Sequence, residues 1–169
     1  SPATIPARTL GELVAFDKAH QVQEMSLFEQ ELFEQAQKTK GLADPAYKKS
    51  RATSFQAAGP NGIDKLLRDN RVVALVGPTM PPAWKIDAAN GDQISGGGAG
   101  TLAAVAGYPH LTVPMGLVNG LPAGLSFIGT AYSDGLLLKA GYAYEQATHA
   151  RVEPQYLPTI PADLGPAKR

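Results

Sequence analysis

The sequence has no cysteine, which removes disulfides, thiol catalysis and thiolate metal sites together. It leaves the compartment open. An excess of one charge is also lacking: Lys plus Arg and Asp plus Glu both number 15, so the formal net charge is zero. Without a basic surplus nothing draws the chain to a phosphate backbone or an anionic lipid, which argues against nucleic-acid and membrane-surface partners. No apolar run approaches a membrane span, and the first residues carry no apolar signal-peptide segment. Two well-known patterns are missing too. There is no phosphate-binding Gly-x-Gly-x-x-Gly or Gly-Lys-Ser/Thr loop, and no Gly-x-Ser-x-Gly nucleophile elbow. The three histidines, His20, His110 and His149, lack metal-ligand spacing, so neither a metal nor another cofactor is expected.

What remains is globular material. The 169 residues are 44% hydrophobic, enough for one ordinary domain with a real core. The chain starts at Ser1, as a processed or trimmed product would, and a soluble cytoplasmic protein is the default expectation. Residues 1–70 read as a helical part, 71–150 as an α/β part and 151–169 as an extended proline-rich tail of the same domain.

The helical part is well punctuated. Thr9-Leu10-Gly11-Glu12 has capping-box form, followed by Leu10, Leu13, Val14 and Val22 at helical spacing. Ser26-Leu27-Phe28-Glu29 repeats the box. It predicts a break near Glu24 to Ser26 and a second helix to about Lys40, with Phe28, Leu32, Phe33 and Ala36 on its buried side and Gly41 as its stop. Asp44-Pro45 supplies an N-cap and first helical residue for a helix to about Ala57. Gly59-Pro60-Asn61-Gly62 reads as a turn before a short helix with Ile63, Leu66 and Leu67 inward.

Val72 to Val76 is continuously apolar, as in a strand covered on both faces. Thr101 to Ala106 suits a small-residue helix, and Leu111 to Val113 and Gly124 to Ile128 are short strands. Ser133-Asp134 caps a helix with Leu137, Ala140, Tyr144 and Ala147 inward. Helices followed by alternating strands and helices indicate an α/β fold: a few-stranded mixed sheet with helices packed on it and a helical amino-terminal layer.

Two loops are candidates for chemistry. Gly77-Pro78-Thr79-Met80-Pro81-Pro82 leaves the carboxyl end of a buried strand, where α/β sheets often present ligands. Its prolines would hold Thr79 and Met80 in place, for binding or simply as a rigid turn. The glycine run Ser95-Gly96-Gly97-Gly98-Ala99-Gly100 lets backbone approach a ligand, or equally lets a helix pack tightly. Trp84, the single tryptophan, suits a pocket wall or a core. A self-contained Ser-Lys pair such as Ser95 with Lys85 is chemically conceivable, since a desolvated lysine can act as a base.

The order of the pieces resembles the carboxyl-terminal portion of amidase-signature hydrolases, closest to the peptide amidase-like branch. The resemblance rests on Glu24-Met25, Gln30-Glu31-Leu32-Phe33, Gly41 to Tyr47 and Gly59 to Asp64. It continues through Ala74 to Thr79, where the family commonly shows Ala-Pro-Thr, then Pro82-Ala83-Trp84 and Gly91-Asp92. Ala103 to Pro109, Thr112 to Gly116, Gly120 to Phe127 and Glu145 to Thr148 complete it. The resemblance implies hydrolysis of amide C–N bonds by a Ser-Ser-Lys set through an acyl-enzyme. The Gly-Gly-Ser-Ser-Gly-Gly-Ser-type segment that carries those serines does not occur in these 169 residues, so no catalytic residue is assigned. Ser95 to Gly98 corresponds to a later loop, where Gly96 to Gly98 stand in for serines or an acidic residue of relatives.

The resemblance further implies a small-molecule or peptide amide substrate for the complete enzyme, with Thr79, Met80, Trp84, Ser95, Gly96 and Gly97 lining the cleft. The missing amino-terminal part is the implied partner, and in its absence self-association is expected. The competing readings are a binding or scaffold module of amidase-like shape and an independent Ser-Lys hydrolase.

Overall fold

The structure is a computed structural model that describes residues 7–84, 86, 87, 89–92, 94 and 96–156. The chain divides into two compact units, Ser1–Lys48 and Lys49–Arg169.

The first unit is built of short helices, α1 (Leu10–Ala19), α2 (Gln21–Glu24) and α3 (Glu31–Gln37). Helix α1 begins on the capping box read from the sequence. The Glu12 amide donates to Thr9 Oγ1 at 3.2 Å, and Glu12 Oε2 accepts from the amides of Arg8 and Thr9 at 2.6 and 2.9 Å. Those amides, Arg8 first, hold the Glu12 carboxyl below the usual carboxylate range. The expected Ser26 box does not form: α3 starts at Glu31 with Gln30 as its N-cap. The Gln30 amide nitrogen instead reaches the Val14 carbonyl at 3.0 Å, tying α3 to α1. The helix also stops at Gln37 rather than near Lys40. No described residue of 7–48 is buried, so the expected buried side of this helix is open, with Phe28 and Leu32 at 74% and 71% exposure.

Helix α4 (Pro45–Ala58) starts as Asp44-Pro45 predicted, with Asp44 Oδ1 accepting the Ala46 amide at 2.8 Å. The expected turn at Gly59 is a wide π-helical turn, Gly59–Ile63, that runs directly into α5 (Asp64–Asn70). Pro60 has no N–H to continue the α-helical ladder, which accounts for the widening. Arg71, left-handed at φ 53°, ends α5.

Three strands follow, β1 (Leu75–Pro78), β2 (His110–Val118) and β3 (Leu121–Ile128), in the order β1-β3-β2. Both pairings are antiparallel. The mixed pairing read from the sequence therefore gives way to an antiparallel sheet. Strands β2 and β3 form a hairpin on the two-residue turn Asn119-Gly120, both with positive φ (50° and 77°), and such a turn can only reverse the chain. Strand β1 runs in the same direction as β2 but never adjoins it. A bulge at Met115 shifts the register between Pro114 and Gly116. Strand β1 also starts later than the apolar run suggested: Val73, ahead of it, is 68% exposed, and Val76, on this edge strand, is 64% exposed.

Alternation along β3 divides the core. Ile128 joins Ala58, Ile63, Leu67 and the α6 (Thr101–Ala106) residues Ala103 and Ala106. Phe127, pointing the other way, packs with Val113 and with Leu137 of α7 (Asp134–Thr148). The sheet is thus covered on both faces by helices. Ala147, expected inward, is exposed near the end of α7. Among the described residues no helix is long and apolar enough to cross a membrane.

Candidate functional site

The face of the sheet that carries Ile128 changes character along its length. In register terms His110 pairs with Ile128, Thr112 with Ser126, and Gly77 with Ser126. Ile128 turns this face toward the apolar core, whereas His110, Ser126 and Thr112 make it polar toward the loop that leaves β1. There the chain builds a continuous polar run. His110 Nε2 lies 2.6 Å from Ser126 Oγ, Ser126 Oγ donates to Thr79 Oγ1 at 2.8 Å, and Thr79 Oγ1 is hydrogen-bonded to Thr112 Oγ1. Ser126 has no exposed surface. A buried hydroxyl needs internal partners because water cannot serve it.

Thr79 is also held through its backbone. Its amide donates to the Gly124 carbonyl at 2.7 Å, and its carbonyl accepts the Ala99 amide at 2.9 Å. The strand-end loop and the glycine loop are therefore stitched together. Met80 Sδ occupies the space that a β-carbon on Gly98 would need, so the glycine there permits the contact. Gly96, at φ 95°, lies next to Pro81, and Gly97 faces open space. Of the residues singled out in the sequence, Thr79 and Met80 meet the glycine loop at Ala99 and Gly98, and Gly96 lies beside Pro81. Trp84 stays at the surface, 36% exposed, and is not the core residue that was its alternative. Ser95 and Lys85 lie outside the described residues.

Between Trp84 and the glycine loop, Asp87 organises a tight turn. Its carboxylate accepts the Asn90 side chain at 2.9 Å and the Ala89 and Asn90 amides at 3.0 and 2.9 Å. The Asn90 side-chain bond, then those amides, hold its pKa below the ordinary aspartate range. A groove of about 380 Å³ begins at Thr112 and Gly124 and runs past Pro114 and Leu117 to Ala150–Val152. Among the described residues no three His, Asp or Glu side chains gather as a metal site.

No protein-family model matches the chain. Individual relatives do. The native peptide amidase of Stenotrophomonas maltophilia superposes with a TM-score of 0.82 at 49% identity, covering 89% of this chain and 30% of that one. A peptide amidase in complex with the competitive inhibitor chymostatin gives 0.85 at 50% identity, over 89% of this chain and 31% of that one. A probable amidase of Arabidopsis thaliana is 30% identical over 154 residues, 90% of this chain and 26% of its own length.

The chain belongs to the amidase-signature family.

It spans less than a third of the length of these amidase-signature relatives. Within that span, His110, Thr112 and Ser126 are polar residues that the motif reading passed over. Their signal was present as strict alternation: His110-Leu111-Thr112-Val113 and Leu125-Ser126-Phe127 place every polar side chain on one face. A second polar knot sits under the same amidase-signature sheet. Asp64 accepts the Tyr108 hydroxyl and the Thr130 hydroxyl, each at 2.7 Å. The Asp64 bond, with burial, pushes the Tyr108 phenol above its ordinary value.

Proposed function

We propose that this chain forms one wall of the substrate cleft of an amidase, with the bond-breaking atoms lying outside these 169 residues. Thr79, Met80, Trp84, Ser95, Gly96 and Gly97 are the residues assigned to substrate contact, and the substrate is a peptide amide. The observation that carries this reading is the stitching of Thr79 to Ala99 at the end of β1. Supporting it is the 50% identity to a peptide amidase that binds chymostatin. Two of the serines, Ser126 and Ser133, argue the same way. Ser126 is sealed in the sheet and gives its proton to Thr79, while Ser133 donates to the Thr130 carbonyl at 2.7 Å. Neither is free to attack a carbonyl.

By itself the chain hydrolyses no amide. A serine-directed fluorophosphonate is expected to leave it unmarked and to label a longer chain that also holds a Gly-Gly-Ser-Ser-Gly-Gly-Ser-type segment. Labelling of this chain at a single serine would sink the proposal. In the complete enzyme, Met80→Ala is expected to raise KM for a peptide amide more than it lowers kcat.

The remaining length of an amidase is the natural partner. Among the described residues β1 and β2 each keep one unpaired edge, and unpaired edges recruit further strands. Isolated copies should therefore associate, and a strict monomer on gel filtration at high concentration counts against it.

A further inference from the structure

The hydroxyl run beneath the strand-end loop has a direction, and the direction assigns a proton. Thr112 Oγ1 donates to the Leu125 carbonyl at 3.4 Å, and a carbonyl can only accept. Each hydroxyl owns one proton. A Thr112 proton turned toward that carbonyl agrees with a Thr79–Thr112 bond made by the proton of Thr79. The direction is fixed at Ser126, whose Oγ donates its one proton to Thr79 Oγ1 at 2.8 Å. Ser126 Oγ is left able only to accept from His110, so Nε2 must carry hydrogen.

The other edge of the same ring supports the glycine loop. A β-carbon on Gly100 would stand 2.8 Å from His110 Cε1 and Nδ1, so the imidazole lies directly against the loop's carboxyl end. One side chain thus touches both ends of the stitch: the loop backbone at Gly100, and through Ser126 the Thr79 residue whose carbonyl receives Ala99.

We propose that His110 is a positioning residue, an obligatory Nε2–H donor that sets the direction of the Ser126–Thr79–Thr112 run and thereby holds residues 96–100 against the Thr79–Met80 loop. Its meaning for substrate rests on the cleft-wall reading, but its geometry does not. In a neutral ring the Nε2–H tautomer leaves Nδ1 as an unprotonated acceptor beside Gly100.

The test uses the whole 169-residue chain and no amide substrate, so its failure is separate from failure of the amidase reading. Ring-nitrogen chemical shifts of His110, recorded in mildly alkaline solution where an imidazole is neutral, should report hydrogen on Nε2. Hydrogen exchange at the Ala99 amide provides the second measurement. The amide nitrogen of glutamine lies as many bonds from the backbone as histidine Nε2, whereas that of asparagine matches Nδ1. His110→Asn should speed exchange at Ala99 about tenfold, His110→Gln should keep it within about twofold of the parent, and α7 amides should not change. A role in general stability would loosen α7 as well and would not separate the two variants. Hydrogen on Nδ1 in the neutral ring, or equal exchange at Ala99 in the two variants, overturns the proposal. If the variants do not fold, the tautomer of the parent chain decides.

Discussion

Residues 7–48 and residues 49–156 hold their helices by different means. In the first region the helices rest on a few polar contacts: the local Thr9–Glu12 box, the Gln30–Val14 bond and the Lys18–Glu34 ion pair at 2.6 Å. None of its described residues is buried. The second region buries Ile63 and Leu137 to 0% and 1% exposure on opposite sides of a sheet. Both regions are rich in apolar side chains. The lesson is that apolar content does not make a core. Side chains become a core only where two layers close over them, and the second region alone has a sheet to close against.

The comparison predicts unequal responses. The largest belongs to Ile63→Ala and Leu137→Ala, each expected to cost about 2–5 kcal/mol in denaturant unfolding of residues 49–156. Helical amide signals from residues 10–37 should persist through that transition, and their simultaneous loss would merge the two regions into one cooperative unit.

Next comes Asp64→Ala, which strands the Tyr108 and Thr130 hydroxyls and should lower stability by about 1–2 kcal/mol. The same knot gives a pH dependence. Because the Tyr108 pKa is raised on folding, its contribution is complete below the ordinary tyrosine range and is lost as pH climbs through the raised value. An alkaline titration of the melting temperature checks this, and Tyr108→Phe should flatten that limb.

Thr9→Ala should cost about 1 kcal/mol of α1 stability, visible as lost helical dichroism with the unfolding midpoint of residues 49–156 unmoved. Acid acts on the same cap from the other partner. The Glu12 pKa is depressed, so its support is present above the ordinary glutamate range and fades as pH falls through the depressed value.

The smallest effect is expected from Phe28→Ser. A 74% exposed side chain should shift stability by no more than about 0.5 kcal/mol. A larger loss would break the comparison outright, since it would mean that something covers this face.

Several features were legible because their causes lie close along the chain. The Thr9 box and the Asp44-Pro45 start each depend on atoms within a few residues, and both formed as read. The Ser26 box failed for the opposite reason: Gln30 found a partner 16 residues away, and no local pattern encodes that choice. The site divides along the same line. The loop carrying Thr79 and Met80 could be recognised by its glycine and prolines. The polar residues beneath it could not, because Ser126 and Thr112 lie 47 and 33 residues from Thr79. Alternation marked which face they share, but not what that face meets.

By itself, then, the sequence determined the family, through the order of its short motifs, and the starts of its helices, through hydrogen bonds that close within one turn. Tertiary structure decided the rest. It made the sheet antiparallel, opened the amino-terminal helices while sealing Ile63 and Leu137, and brought Thr79 to Ala99 and Ser126 to His110. The physical reason is one of range: a cap is a bond between near neighbours, whereas burial and a directed hydroxyl run exist only after distant segments have packed against each other.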